Sequence, residues 1–137
     1  MNADFLDAHQ RHMVDAEMLF LASRLANSDQ LFGFAAECGL KTLMLHFGMV
    51  IKQDGSPKGT DDRVHADKVW GRYDTYRANS VHGANYALPS QNPFQDWGAP
   101  QRYVHSGEIL QPRVDAHRAA AGAVAALVRK ARLEGLI

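Results

Sequence analysis

SDQLFGFAAECGLKTLMLHFGMVI, at residues 28–51, is the longest stretch of the chain with few charged side chains. Its apolar residues recur every three or four positions, which is the period of a helix and not of a strand. The opposite side is apolar as well, so we expect a helix that is buried on most of its circumference. The stretch therefore predicts the central helix of a small bundle. Leu31, Cys38 and Leu45 repeat along one face, which we expect to point inward.

Two charged residues lie in the middle of this helix. Glu37 and Lys41 argue against a membrane span, and they stand four apart in the order that favours a helical ion pair. One interpretation is structural: either this pair forms, or Glu37 is hydrogen-bonded to Tyr73, Tyr103 or Arg102 inside the bundle. The other interpretation is a polar hub that lines a ligand pocket, with Glu37 as a binding residue.

Length and composition limit the class of protein. The chain has 137 residues, which is enough for one domain with its own core. Fifteen acidic and fifteen basic residues give a formal net charge of zero, so no global field draws nucleic acid or anionic membrane to the molecule. A single cysteine, Cys38, excludes an internal disulfide, and we expect it to be a core residue. The start of the chain lacks the pattern of a signal peptide, so we expect a cytoplasmic protein without a membrane segment.

Motifs for metals and cofactors are absent. The sequence contains no CxxC pair, P-loop or GxSxG elbow. His9 and His12 lie one turn apart, but no Glu-x-x-His pair offers the further ligands that a di-iron bundle needs. We therefore expect neither a metal site nor a cofactor.

Three further helices complete the predicted bundle. The first runs over residues 2–26 and joins the central helix through a short connection at 27–29, with Ser28 as N-cap, so that the pair forms an antiparallel hairpin. The third begins at Thr60 or Asp61 and fades after 77–79. The fourth has Pro112 in its first turn and continues to about Glu134. The prediction is an all-α, up-and-down bundle of four main helices in a single domain, 1–137.

A long loop precedes the last helix. Residues 83–100 contain three prolines and two glycines, and we expect Phe94 and Trp97 to pin this segment to the core. The inward stripe predicted for the last helix is Val114, His117, Ala121, Val124, Ala125, Val128 and Ala131. Small residues at 119–123 require a close helix contact, either with the central helix or with a second subunit.

Several segments together resemble the HEPN domain. They are RHMVDAEMLF at 11–20, LFGFAAECGLKTLM at 31–44, HADKVW at 65–70, and Trp97 followed by Arg102-Tyr103 ahead of the last helix. The resemblance covers roughly residues 11–131. It implies an all-α up-and-down bundle, often a homodimer, that acts on RNA or nucleotides.

The resemblance also implies a chemistry. Active ribonucleases of this family use an Arg, four to six residues, and then a His, and the neighbouring 2′-hydroxyl attacks without a metal. Arg77 and His82 have this spacing, so they are the candidate catalytic pair: Arg77 would steady the phosphate and His82 would move the proton. Arg102 to His105 and Arg113 to His117 lie in the expected region with shorter spacings.

Three functions follow as hypotheses. The first is a nucleic-acid- or nucleotide-associated accessory domain, with a nucleotidyltransferase of a toxin–antitoxin or defence pair as candidate partner. The alternatives are a metal-independent endoribonuclease and a structural dimerisation module. For the first, the expected binding residues are Arg102, Tyr103, His105 and Glu37, with Arg102 and His105 approaching the cleft of a homodimer.

Overall fold

A computed structural model describes residues 1–137, and four α-helices form its frame. They are α1 (Phe5–Leu21), α2 (Leu25–His46), α3 (Ala66–Ala78) and α4 (Gln111–Leu133). Short 3-10 turns lie between them, at Thr60–Asp62, Gly83–Tyr86, Ala99–Tyr103 and Ser106–Glu108. The structure contains no strand beyond one isolated bridge, so the predicted all-α four-helix bundle is confirmed. No helix combines the length and apolar character that a membrane span needs.

The central position of α2 is confirmed, because it packs against each of the other three helices. Its most deeply buried apolar side chains are Phe32, Ala35, Ala36, Leu40, Leu43 and Met44. The face that carries Leu31, Cys38 and Leu45 is only partly buried. Leu31 and Leu45 pack against the core as predicted, but this is not the most deeply buried face of the helix. A helix that is apolar all round has no polar face from which its orientation could be read.

The connection of the α1–α2 hairpin lies five residues earlier than predicted. It consists of residues 22–24, where Ser23 adopts the left-handed backbone with φ 59°. Ser28 is not the N-cap of α2. It lies inside the helix, and its hydroxyl donates a hydrogen bond to the Ala16 carbonyl of α1 at 2.9 Å. A tertiary partner has therefore replaced the local capping role that the residue type suggested.

The antiparallel course of this hairpin is confirmed by two contacts. Ser28 meets Ala16 near the turn, and the Nδ1–H of His9 donates to the Ala35 carbonyl at 2.7 Å further away from it. Residues progressively earlier in α1 thus meet residues progressively later in α2.

The third helix starts later than predicted. Residues 60–62 form a separate 3-10 turn, and α3 begins only at Ala66. Asp62 is buried, and its carboxylate accepts hydrogen bonds from Arg72 and from Tyr76, each at 2.7 Å. The acidic residue therefore ties its turn to the side of α3 instead of beginning the helix.

The last helix agrees with its prediction. Pro112 lies in its first turn, and all seven residues of the predicted inward stripe are buried. A close contact was predicted for its small residues, either with the central helix or with a second subunit, and the structure shows the contact with α2. Gly39 permits the close approach, since a Cβ there would lie 2.6 Å from Cγ1 of Val124.

The direction of α4 depends on the long connection before it. Asp29 of α2 meets His117 of α4, and Gly39 meets Val124 further along both helices. The two helices consequently run in the same direction, opposite to that of α1. The connection 79–110 carries the chain back to the start of α2, where α4 then begins.

The predicted anchors of this connection are confirmed. Phe94 and Trp97 are 0% and 2% exposed. Trp97 lies directly over Gly33, where a Cβ would come within 2.0 Å of the indole. Its Nε1–H donates to the Asp29 carbonyl at 3.1 Å. The segment that contains Trp97 is thereby held against the start of α2.

Candidate functional site

The candidate catalytic pair is not brought together. The guanidinium of Arg77 pairs with Asp74 and donates to the Gly83 carbonyl. His82 is exposed, and its ring lies 6.3 Å from that of His46. The two side chains have different partners, and no hydrogen bond joins them.

Arg102, Tyr103 and His105 lie together on an exposed surface. Tyr103 is 76% exposed, and the Arg102 guanidinium stacks 4.7 Å from the centre of its ring. Nη2 of Arg102 also donates to the Tyr103 hydroxyl at 2.9 Å. No carboxylate pairs with Arg102, so its charge is available to an external anion. His105 is exposed as well, and its Nδ1 accepts a hydrogen bond from the Gly107 amide.

Glu37 belongs to a different site. Its carboxylate accepts from Lys41 Nζ at 2.8 Å, which confirms the predicted helical pair, and from His65 Nδ1–H at 3.0 Å. The suggested hydrogen bonds from Tyr73, Tyr103 or Arg102 are not formed. Glu37 and Lys41 are 8% and 5% exposed, so the pair acts inside the bundle as a structural contact.

The most densely connected polar cluster was missed by sequence reasoning. It centres on His117 of α4, which is 1% exposed. Nδ1–H donates to Asp29 at 2.6 Å, and Nε2–H donates to Asp96 at 2.9 Å. The ring of Phe94 stacks on the imidazole at 4.8 Å. Both ring nitrogens thus face carboxylates, an arrangement that suits the imidazolium form, which has two N–H donors.

Two further side chains close this network. Arg113 donates to Asp96 Oδ2 at 2.8 Å and to Gln101 Oε1 at 3.0 Å. Gln101 in turn donates to Asp29 Oδ2 at 2.7 Å. The five side chains connect α2, α4 and the 94–103 segment, and with His117 charged their two positive and two negative charges balance.

The electrostatics follow from these contacts. Burial by itself lowers the pKa of His117, but the hydrogen bonds and charges of Asp29 and Asp96 outweigh it and raise the pKa. Burial likewise tends to raise the pKa of Asp29, yet His117, Gln101 and Arg113 hold it below its ordinary value. The network is therefore a set of mutually stabilised charges that fixes the polar end of the bundle.

Access to this network is limited. Asp96, Gln101 and Arg113 line a cleft of about 380 Å³, whereas His117 itself is enclosed. Because both of its nitrogens are occupied, His117 cannot reach a substrate unless Asp96 moves. Through Asp96, His117 is connected to the segment that carries Arg102 and Tyr103.

A larger cavity is bordered by residues that follow that segment in the chain. It measures about 550 Å³ and is lined by Arg24, by Ser106 and Gly107, and by the first residues of α2 and α4. Neither helix has a side-chain N-cap bond. Two helix N-termini with their partial positive charge and one arginine therefore border the same space.

The chain has no group of three or more His, Cys, Asp or Glu side chains arranged to hold a metal ion. Comparison with protein-family models, with curated proteins and with solved structures found no match.

Proposed function

We propose that the chain is a HEPN-like accessory domain that binds single-stranded RNA or nucleotides on the surface of Arg102, Tyr103 and His105. The observation that carries the proposal is the exposed ring of Tyr103 beneath an arginine that lacks an acidic partner. An isolated surface arginine is common, but a guanidinium stacked on a 76% exposed tyrosine forms a ready-made planar platform. Such platforms suit the unstacked bases of single strands.

The surroundings of this platform suit the anionic phosphate backbone of an RNA strand. The 550 Å³ cavity includes Ser106 and Gly107, which follow His105 in the chain, and is bordered by Arg24 and the starts of α2 and α4. Amide groups at helix N-termini bind phosphate well. Because the net charge of the chain is zero, attraction is local to this surface. We therefore expect modest affinity that weakens as salt is added.

Binding has more support than cleavage. A ribonuclease needs a histidine that can reach a 2′-hydroxyl, and His117 has both nitrogens committed to carboxylates. His82 is accessible, but the partner proposed for it, Arg77, is paired with Asp74. The endoribonuclease alternative would require these contacts to rearrange.

The test is fluorescence anisotropy with a labelled single-stranded RNA. Tyr103→Ala should weaken binding by about 1–3 kcal/mol, the usual contribution of one base stacked on an aromatic ring. Tyr103→Phe keeps the ring and should bind nearly as well as the wild type. Arg102→Ala should weaken binding and reduce its salt dependence.

The control is Arg132→Ala, which removes an exposed arginine from the far end of α4. It should leave binding unchanged. Equal losses of RNA affinity in the Arg102 and Arg132 variants would mean that any surface arginine contributes through its charge alone, without a specific site. No binding by the wild type would leave the structural dimerisation module as the better reading, and loss of intact RNA during the assay would favour the nuclease.

Homodimer formation is part of the proposal. Val14, Met18 and Leu21 are 59%, 65% and 77% exposed, and their spacing of four and three places them in one stripe on α1. Ala119 and Ala123 of α4 are also exposed and small enough for close helix contact. A second copy of the chain is the simplest partner for such surfaces.

The resemblance extends the proposal to a nucleotidyltransferase partner. Coexpression with a nucleotidyltransferase encoded beside this chain should yield a complex that copurifies. If the two proteins elute separately at all concentrations, the proposed partner is refuted, while the proposal of an RNA-binding surface is unaffected.

A further inference from the structure

The two hydrogen bonds of His117 depend on the charge of its ring. Nδ1–H donates to Asp29 at 2.6 Å, and Nε2–H donates to Asp96 at 2.9 Å. A neutral imidazole has one N–H, and its other nitrogen is an acceptor. An ionised carboxylate is also only an acceptor. Loss of the proton therefore turns one of the two contacts into a repulsion between two acceptors.

The burial of the two carboxylates decides which contact is lost. Asp29 is fully buried, and His117 is the only group that donates to its Oδ1. A buried acceptor without a donor is costly, so the remaining proton stays on Nδ1. The side chain of Asp96 is 58% exposed, and water can satisfy its carboxylate. In the neutral state the contact between His117 and Asp96 is thus the one that breaks.

Arg113 is the other charged side chain beside this imidazole. It lies one turn before His117 on α4, with Nε 3.4 Å from Asp29 Oδ2 and Nη1 2.8 Å from Asp96 Oδ2. An arginine side chain does not lose its charge in proteins. The ring of Phe94, which stacks on the imidazole, carries no charge. The charged groups around His117 are thus Asp29 from α2, Asp96 from the connection before α4, and Arg113 from α4 itself.

One side chain connects the weakened contact to the surface at Arg102. Arg113 binds both the carboxylate and the carbonyl oxygen of Asp96. Its Nη2 also donates to Gln101 Oε1 at 3.0 Å, and Gln101 directly precedes Arg102. When Asp96 loses its imidazole partner, the guanidinium that holds Gln101 loses a fixed neighbour. A continuous chain of hydrogen-bonded side chains therefore leads from the imidazole to the residue before Arg102.

We propose that the proton on His117 orders the proposed RNA-binding surface at Arg102. In the charged form, Asp96 is fixed between the imidazole and Arg113, and an ordered surface lowers the entropic cost of binding. In the neutral form the Asp96 carboxylate turns to solvent, and residues 98–104 become mobile. RNA affinity consequently falls as the pH rises. The inference rests on the proposed function, since it adds a regulation to that surface.

The pH range follows from the same contacts. Burial lowers the pKa of His117, but Asp29 and Asp96 outweigh it and raise the pKa above the ordinary 6.5. The ring is charged below this raised pKa and neutral above it. The surface is therefore ordered at about pH 6 and loosened at about pH 9.

Asp96→Asn separates the contact from the proton. Asparagine accepts from Nε2–H through Oδ1, or donates from Nδ2 to a bare Nε2, so it binds both forms of the ring. The RNA affinity of this variant should therefore not depend on the charge of His117. His105→Gln, introduced into both proteins that are compared, removes the imidazole that the binding surface itself carries.

Fluorescence anisotropy at about pH 6 and about pH 9 measures the effect, with a labelled single strand that contains only adenine and cytosine. These bases lose no proton in this range. The affinity of the protein that retains Asp96 should fall at least about fivefold between the two pH values, which is the lower end of the usual coupling between sites. The two affinities of Asp96→Asn should agree. Equal losses in both proteins, or no loss in either, would overturn the inference.

Methyl NMR without RNA tests the loosening of the segment independently of the proposed function. Ala99 and Val104 lie on either side of Arg102 and Tyr103, and their methyl order parameters report the mobility of the segment. The order parameters should be lower at about pH 9 than at about pH 6 in the wild type, and equal at both in Asp96→Asn. Unchanged wild-type order parameters would overturn the inference. Lower order parameters in a protein that binds no RNA at either pH would instead refute the proposed function, and with it the regulatory role.

Discussion

Replacing Asp29 by asparagine removes the central charge of the buried network while keeping the shape of the side chain. Asp29 is fully buried and accepts hydrogen bonds from His117 at 2.6 Å and from Gln101 at 2.7 Å. Breaking a buried ion pair on one side costs about 3–5 kcal/mol, because the remaining charge stays uncompensated. Domains are stable by about 5–15 kcal/mol. We therefore expect Asp29→Asn to fold, with a free energy of unfolding lower by about 3–5 kcal/mol.

Asp96→Asn is the matched control. Asp96 binds the same imidazole and also Arg113, but its side chain is 58% exposed. Water can replace the lost contacts there, so the expected loss is about 1 kcal/mol or less. Urea unfolding, monitored by circular dichroism, gives the free energy of unfolding of both variants. The comparison holds if the slope of that free energy against urea concentration is the same in both. If Asp29→Asn loses no more than Asp96→Asn, the buried network does not stabilise the bundle as argued.

The stability difference between the wild type and Asp29→Asn should depend on pH. The pKa of His117 is raised above its ordinary 6.5, since Asp29 and Asp96 outweigh the opposing effect of burial. A raised pKa stabilises the folded state below the unfolded pKa, and this contribution disappears as the pH rises through the folded pKa. The difference in unfolding free energy between wild type and Asp29→Asn should thus be larger near about pH 6 than near about pH 9. A difference that does not vary with pH would mean that folded His117 is uncharged.

Four other properties can be checked. Leu40→Ala should lower the free energy of unfolding by about 2–5 kcal/mol, as expected for a fully buried leucine, and Leu45→Ala should lose clearly less; equal losses would contradict the burial order. Gly39→Ala should lower the free energy of unfolding by about 1–3 kcal/mol, because the added methyl group would clash with Val124 and His9; an unchanged free energy of unfolding would contradict this close packing. Burial raises the pKa of Cys38 to about 12, so a thiol reagent should react slowly with the native protein and quickly after unfolding in urea; equal rates would place this thiol at the surface. Light scattering should show a dimer that Met18→Glu converts to a species near 15.2 kDa, and a monomeric wild type at micromolar concentration would refute the homodimer.

Periodicity predicted the buried face of a helix well where charged positions could be told apart from apolar ones. In α4, charged residues such as Asp115 and Arg129 lie outside the stripe from Val114 to Ala131, and every predicted inward position is buried. In α2 almost all positions are apolar, so the period identified a buried helix without identifying its deepest face. Leu40 and Leu45 could not be ranked on that basis.

Helix ends were harder to predict, because local and tertiary hydrogen bonds compete. Ser28 has the side chain of an N-cap, but its hydroxyl donates to Ala16 twelve residues earlier. Asp62 has the position of a helix start, but it binds Arg72 ten residues later. Both partners become available only after the chain has folded.

The polar network shows the same limit more strongly. His117 was correctly predicted on the inward side of α4, yet its partner Asp29 is 88 residues away. A buried histidine requires polar partners, so the residue type indicated that a network had to exist. Which carboxylates take part depends on the path of the 79–110 connection, and no local pattern in the sequence encodes that path.

Amide NMR of the isotope-labelled chain, titrated with a short single-stranded RNA, tests the central claim most directly. At 15.2 kDa for the single chain, individual backbone signals can be followed. The proposed function predicts that shifts concentrate in the 99–107 segment and in the first turns of α2 and α4, and that Tyr103→Ala removes them. Shifts confined to other parts of the bundle, or no shifts at RNA concentrations that saturate the anisotropy signal, would contradict it.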